Sequence, residues 1–449
     1  MAQFLIQLNG NDVTRIPSHH SAYDPLCYGL THSNGEKGWT IDIPYFHRVD
    51  GEWIINTGKK VTPLDFYSYR SQIRDPKWTA DPATHVIDHD VLSFGRLLAQ
   101  QYWVDMWVKI EEQRLKFHRN NQKRLKAELY QGLADAVRGN EHRNAGAYVV
   151  LPSGFEGGPR HQYASYHDAM AIVRKYGKPD LFLTFTCNPN WDEIINELRP
   201  NEKPWMRPDL IDRVFHLKFN SLLDDILRKN ILGISVANVV VVEFQKRGLP
   251  HCHLLIILSP EDKLHDVTLY DDIVCAEIPD STKHPYLHSI VSRHLMHGPC
   301  GHLNPNCVCM EDGKCTKNFP KESAAETSSR NDSYPIYRRR NRFPIEKRDR
   351  HGNLICTLND TWVVPYNPYL AVRYNAHINL EICITIQSVK YLFKYVYKGP
   401  DKASVKLVHA NVGIPETPQN NNTPRNIDEI ANYVDSRYVS ACTALWHIF

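Results

Sequence analysis

The sequence lacks the features that mark several large protein classes. It contains no Gly-x-x-x-x-Gly-Lys-Ser/Thr loop, so we expect no bound ATP and no nucleotide hydrolase in this chain. It contains no apolar run long enough to span a bilayer, so we expect no membrane partner. The first residues also lack the charged start and the long apolar core of a secretion signal.

The sequence also has little net charge. Its 53 Lys and Arg residues against 50 Asp and Glu residues give a formal charge of +3, so a surface that attracts a polyanion must be local. Hydrophobic residues make up 42% and charged residues 23%, which is ordinary for a globular protein. A length of 449 residues allows two or three domains with substantial cores.

The eleven cysteines are a moderate number for this length, and four of them are clustered. Without an export signal, this cluster predicts a metal site before it predicts disulfides, and it indicates a reducing compartment, the cytosol or the nucleus. Glycines and prolines between the thiols favour the tight turns of a structural zinc site. The expected ligands are His297, Cys300, Cys309 and Cys315, with Cys307 as a competitor.

Patterning along the chain predicts an α+β fold with an antiparallel sheet and helices on one face. Apolar periodicity indicates helices over 161–176 and 208–229, and β-rich runs indicate strands over 181–186, 234–244 and 253–258. We divide the chain into an irregular N-terminal module (1–90), a helical segment plus the core (91–290), a zinc and basic-loop region (291–350), a part with a tyrosine-bearing helix (351–412), and a linker followed by a helical C-terminal region (413–449).

Two histidines one residue apart suggest a metal site on a strand. His251 and His253 have the same parity, so both side chains point to one face. A third ligand is expected from the incoming strand, where Glu243 and Gln245 share parity, and the sequence does not decide between them. Imidazoles with a carboxylate suit Mg²⁺ or Mn²⁺ and leave positions open for phosphate oxygens. A lone His-x-His pair more often only packs or faces water.

Tyr391 and Tyr395 lie four residues apart on a predicted helix over 386–397, so their hydroxyls project from one face. A helical tyrosine is usually a packed aromatic residue. Beside a divalent cation, however, its phenolate is stabilised and can attack phosphorus to form a phosphotyrosine. The two tyrosines are therefore candidate catalytic nucleophiles, and their order of action stays open.

Three stretches resemble the Rep nuclease region of Helitron transposases: residues 181–191 (LFLTFTCNPNW), 243–254 (EFQKRGLPHCHL) and 390–399 (KYLFKYVYKG). The resemblance extends from about residue 20 to the end of the chain. It implies an endonuclease of the His-hydrophobic-His (HUH) type, whose metal site lies on a central antiparallel sheet. It assigns the paired histidines to His251 and His253, the hydrophobic position to Cys252, and the two nucleophiles to Tyr391 and Tyr395.

The resemblance implies metal-dependent nicking and joining of single-stranded DNA through a 5′-phosphotyrosine, as in rolling-circle transposition. In this family a helicase normally follows, and no helicase motif occurs here. The chain therefore resembles a truncated copy, a gene-model fragment or a domesticated remnant, and we expect its helicase partner outside this chain. Arg247 and the arginines at 338–340, on an expected exposed basic loop, could grip the strand. The alternative is an inactive, zinc-stabilised DNA-binding remnant of such a transposase.

Overall fold

A computed structural model describes residues 3–7, 13–33, 35–72, 92, 95–125, 149–244, 248–329, 334–348, 351–385, 428–435 and 437–449. The strands are β1 (Gln3–Gln7), β2 (Val13–Pro17), β3 (Pro44–Val49), β4 (Glu52–Lys60), β5 (Leu181–Thr186), β6 (Ser235–Phe244), β7 (Pro250–Leu258), β8 (Met310–Glu311), β9 (Lys314–Cys315), β10 (Ile345–Arg348), β11 (Leu354–Leu358) and β12 (His377–Ile382).

The α-helices are α1 (Tyr23–Cys27), α2 (Pro63–Ser71), α3 (Arg96–Asn120), α4 (Pro159–Tyr176), α5 (Asp192–Ile195), α6 (Pro208–Leu227), α7 (Tyr270–Ile273), α8 (Pro285–His294), α9 (Pro368–Tyr374), α10 (Glu429–Val434) and α11 (Ala441–Ile448). Several begin with proline, whose fixed φ and missing N–H suit the first turn. None of the helices in the described ranges is both long and apolar enough to cross a membrane.

The described residues form two compact units. The first contains those within 1–161, 199–212 and 400–449, and the second contains those within 162–198 and 213–399. In the first unit, α3 buries a row of aromatic and apolar side chains together with Leu445 and Ile448 of α11. A buried ion pair crosses this core, since Lys109 Nζ lies 2.7 Å from Asp24 Oδ1. The Tyr67 hydroxyl donates to the other oxygen of the same carboxylate, which compensates for its burial.

The second unit is built on a four-stranded antiparallel sheet with the order β12-β5-β7-β6. One face of this sheet is apolar. Leu183 and Phe185 of β5, Leu254 of β7 and Leu380 of β12 are fully buried there. On this face Phe185 stacks on Phe215 of α6, with ring centroids 5.4 Å apart. Hydrophobic burial on this side therefore fixes which residues of each strand face the other way.

The prediction of an α+β fold with an antiparallel sheet is confirmed. The predicted helix over 161–176 corresponds to α4, and the strand over 181–186 matches β5. Strand β7 begins at Pro250, three residues before the predicted start, and this extension brings His251 into the sheet. One helix also contacts the second face of the sheet, where Ala169 and Val173 of α4 pack with Phe182 and Leu255.

The prediction that the basic segment 338–340 is an exposed loop is wrong, while its predicted contact with DNA stays a prediction. Arg339 is only 3% exposed, and its Nη1 donates to the carbonyl oxygens of Asp360 and Val363. Arg338 lies 2.9 Å from Asp271, and Arg338 and Arg340 both pair with Glu277. These arginines connect their own segment to distant parts of the chain, because buried carbonyl and carboxylate oxygens need hydrogen-bond donors. Arg247 lies outside the described residues.

Candidate metal centre

The second face of the sheet carries polar side chains in a row that crosses all four strands. The antiparallel register pairs Glu243 of β6 with His251 of β7, His251 with Thr186 of β5, and Thr186 with His377 of β12. Side chains of directly paired residues point to the same face, so this row forms one continuous strip. The next strip of the same face includes His253, which pairs with Thr184 of β5.

Glu243, His251 and His253 meet at one point of this face. The Glu243 Oε2 atom lies 3.4 Å from His251 Nε2 and 3.9 Å from His253 Nε2. One ligand atom from each of the three residues lies within 4.8 Å of the others. The two imidazole rings are perpendicular, with centroids 4.9 Å apart. This spacing allows a single cation to touch all three side chains, and we call Glu243, His251 and His253 the metal triad.

The surroundings of the two histidines hold the rings in place. His251 and His253 are 8% and 6% exposed, so neither ring moves freely in solvent. Thr184 Oγ1 lies 3.0 Å from His253 Nδ1, and Phe182 stacks on the His253 ring at 5.6 Å. When Nδ1 donates to the threonine, Nε2 keeps the lone pair that a metal needs and lies toward Glu243.

The donor set of two imidazoles and one carboxylate fits Mg²⁺ or Mn²⁺, because three protein ligands leave positions open for water or phosphate oxygens. Glu243, one of the two residues predicted as the third ligand, lies beside the two histidines. Gln245, the other predicted ligand, lies outside the described residues, and so do the predicted nucleophiles Tyr391 and Tyr395.

A second group of ligand-type side chains lies in the same unit. His297, Cys300, Cys309 and Cys315 each place a ligand atom within 4.8 Å of the other three, which matches the predicted zinc set. Cys315 Sγ lies 3.4 Å from His297 Nε2. Strands β8 and β9 pair Met310 with Cys315 and form the tight hairpin that returns the chain to the cluster. We call these four residues the Cys/His cluster.

The Cys/His cluster has the ligand types and the closeness of a tetrahedral structural zinc site. Cys300 is fully buried, and Phe319 stacks on His297 with ring centroids 4.2 Å apart. Burial and the neighbouring thiols raise the pKa of Cys309 to about 12, so this thiol needs a bound cation to become a thiolate near neutral pH. Cys307 Sγ lies 3.6 Å from Cys309 Sγ, close enough to compete as a ligand.

The sequence reasoning missed the contribution of β12 to the polar face. His377, Asn379 and Glu381 alternate along β12 and are half-buried, while Ile378 and Leu380 between them are fully buried. Burial raises the pKa of Glu381 to about 7. The period of two in His-Ile-Asn-Leu-Glu is the signal that could have identified this strand and its polar face.

Residues 85–256 match the family model described as a Helitron helicase-like domain at the N-terminus. The matched range includes β5, β6 and β7 as far as residue 256, and therefore Glu243, His251 and His253. No curated protein matches the chain.

Proposed function

We propose that this protein, of which residues 85–256 match the model of a Helitron helicase-like N-terminal domain, is a metal-dependent endonuclease that nicks and joins single-stranded DNA. The observation that carries the proposal is the meeting of Glu243, His251 and His253 on one face of the sheet. Two neutral imidazoles and a carboxylate on a rigid sheet are suited to a cation that binds a phosphodiester. The proposed role is that of a His-hydrophobic-His nuclease in rolling-circle transposition.

In this proposal the chain holds the cation and supplies the nucleophile. A bound Mg²⁺ or Mn²⁺ would polarise the scissile phosphate as a Lewis acid. Glu243, His251 and His253 hold it, and Thr184 fixes the ring of His253. The phenolic proton of Tyr391 or Tyr395 passes to water, and the phenolate oxygen forms a bond to phosphorus while the P–O3′ bond breaks and the leaving 3′-oxygen takes up a proton from water. The products are a 5′-phosphotyrosine and a free 3′-hydroxyl. A second 3′-hydroxyl then loses its proton and attacks the same phosphorus, the bond from phosphorus to the tyrosine oxygen breaks, and the strand is rejoined with the tyrosine protonated again.

We propose that the Cys/His cluster binds a structural Zn²⁺. The cluster lies between β7 and β12 in the sequence, and both of these strands belong to the sheet that carries the metal triad. Zinc there would stabilise the segment that leads from one strand to the other. We also propose that the protein acts in the nucleus and that its nicking activity works together with a helicase.

The test of the proposed function is formation of a covalent protein–DNA adduct. The zinc-loaded full chain is incubated with end-labelled single-stranded DNA and Mn²⁺ and is analysed on a denaturing gel. We expect an adduct that disappears when EDTA replaces Mn²⁺ and in the double variant Tyr391→Phe, Tyr395→Phe. Tyr397→Phe is the matched control, because this tyrosine lies on the same predicted helix but off the face that the other two share.

A second candidate is the zinc-stabilised, catalytically inactive DNA-binding remnant, in which the Cys/His cluster would supply the zinc site. It predicts DNA binding that weakens with salt and yields no adduct with any metal. The two candidates are separated by the adduct gel and a binding titration with the same DNA. Binding without an adduct supports the remnant and contradicts the proposed nuclease.

A further inference from the structure

The polar face of the sheet continues from the metal triad across β5 to the edge strand β12. On β5, the short side chains of Thr184 and Thr186 lie between the histidines of β7 and the paired positions His377 and Asn379 of β12. Neighbouring strands are about 4.8 Å apart, so β7 and β12 lie about 10 Å apart with the threonines between them. The longer side chains on both sides therefore flank a trough with β5 as its floor.

On the polar side of β12, His377 offers a hydrogen-bond acceptor. The Nδ1 atom of His377 lies 2.7 Å from the carbonyl oxygen of His294, at the end of α8. A carbonyl oxygen only accepts hydrogen bonds, so Nδ1 carries the proton and Nε2 of the neutral ring keeps a lone pair. Burial lowers the pKa of His377, which favours this neutral form.

Asn379 offers a second hydrogen-bond acceptor on the polar side of β12. Its side chain interacts with the carboxylate of Glu381 and lowers the pKa of that group. Its Oδ1 atom is buried and has no hydrogen-bond partner within the described part of the chain. A buried carbonyl oxygen normally has a donor, so an unmet acceptor beside a metal triad indicates a missing polar group.

A hard cation bound by three protein ligands supplies such donors. Mg²⁺ and Mn²⁺ favour six oxygen or nitrogen ligands and keep water at the positions that the protein leaves open. Metal-bound water is a hydrogen-bond donor. We propose that His377 and Asn379 form the outer shell of the metal centre, in which they accept hydrogen bonds from water bound to a cation held by Glu243, His251 and His253.

The inference rests on the proposed function, because it takes the triad to be a Mg²⁺ or Mn²⁺ site. It adds two positioning residues that are far from the triad in sequence. Outer-shell groups orient metal-bound water and raise metal affinity, and their loss typically weakens binding about 10- to 100-fold. In the nuclease these groups would also orient the water that a phosphate oxygen displaces.

The experiment measures Mn²⁺ binding without DNA. The zinc-loaded full chain is titrated with Mn²⁺ by calorimetry, and the water-proton relaxation of the bound Mn²⁺ is recorded. Asn379→Leu and His377→Phe should weaken Mn²⁺ binding about 10- to 100-fold and change the relaxation signal. Asn379→Asp keeps an acceptor oxygen and should bind Mn²⁺ at least as tightly as the wild type. Asn238→Leu is the matched control, because it makes the same change on β6 on the opposite face of this sheet.

Failure of the inference differs from failure of the proposed function. The inference is overturned if folded Asn379→Leu and His377→Phe bind Mn²⁺ with wild-type affinity and relaxation while His253→Ala abolishes binding; the triad then remains a metal site. If the wild-type chain itself binds no Mn²⁺, both proposals are overturned. Should His377→Phe not fold, Asn379→Leu decides the result by the same two readouts.

Discussion

Replacing Glu243 with glutamine removes the one formal negative charge of the metal triad and changes little else. The carboxylate is 10% exposed, and its Oε2 lies 3.4 and 3.9 Å from the two imidazole nitrogens. Two unit charges about 4 Å apart interact by about 4 kcal/mol at an effective dielectric constant of about 20, and a divalent cation bound by the carboxylate would be attracted to it at least this strongly. The glutamine carbonyl oxygen can still act as a ligand, so part of the attraction to the cation is kept. We therefore expect Glu243→Gln to weaken Mn²⁺ binding by about 2–3 kcal/mol, or about 30- to 140-fold in Kd.

Calorimetry with Mn²⁺ on the zinc-loaded chain measures this change, and thermal unfolding without Mn²⁺ checks that the fold is kept. Glu346→Gln is the control, since this glutamate lies on β10 of the same unit and is half exposed. Its Mn²⁺ affinity should equal that of the wild type. Equal affinity in Glu243→Gln and wild type would refute the triad as the metal site.

Three further predictions concern the second unit. Cys300→Ser should abolish zinc binding and lower the unfolding temperature, whereas Cys307→Ser should keep one zinc per chain; metal analysis and calorimetry measure both, and equal zinc content would contradict the ligand set. Arg339→Met should lower the free energy of unfolding by about 3 kcal/mol, because buried carbonyl oxygens lose their hydrogen-bond donor. Arg342 is exposed, so Arg342→Met should leave the free energy of unfolding unchanged, and urea unfolding measures both variants. The pKa of Glu381 rises from 4.5 to about 7 on folding, so the folded state holds its proton more tightly and stability is lost as pH rises from about 4.5 through 7. Glu381→Gln should remove this loss, on the order of 3 kcal/mol between pH 4.5 and 8, and an unchanged pH dependence of urea unfolding would speak against a buried carboxyl.

The metal triad could be largely anticipated because its residues are local in sequence. Parity alone placed His251 and His253 on one face, and a returning strand had to bring Glu243 or Gln245 opposite them. Parity does not reveal register, however. The pairing of Glu243 with His251 depends on where β7 begins, and its early start at Pro250 is a tertiary effect of pairing with both β5 and β6.

The Cys/His cluster was predictable for a different reason. Cysteine, histidine and interspersed glycines form a pattern whose chemistry needs closeness, so ligand type and spacing carry the information. The charge of a segment carries less information about its place in the fold. Arg338 to Arg340 look like an exposed basic loop in the sequence, but their partners Asp271 and Glu277 are about sixty residues away, and nothing local shows that the pairing will occur.

The polar side of β12 was missed because strand addition at a sheet edge cannot be inferred from spacing. Strand β12 follows β7 only after the Cys/His cluster and two further hairpin strands, yet it pairs with β5. The alternation of His377, Asn379 and Glu381 indicates a strand with one polar face. It does not indicate which sheet receives the strand or that His377 stands in the row of His251.

The residues that face each other across the polar row are separated by very different lengths of chain. Glu243 and His251 are joined by a single hairpin, while His377 reaches its row from more than a hundred residues downstream. Closing a short loop costs less entropy and takes less time than closing a long one. We therefore expect a folding chain to gain affinity for a cation before β12 docks, and insertions between β7 and β12 to slow the second step while sparing the first.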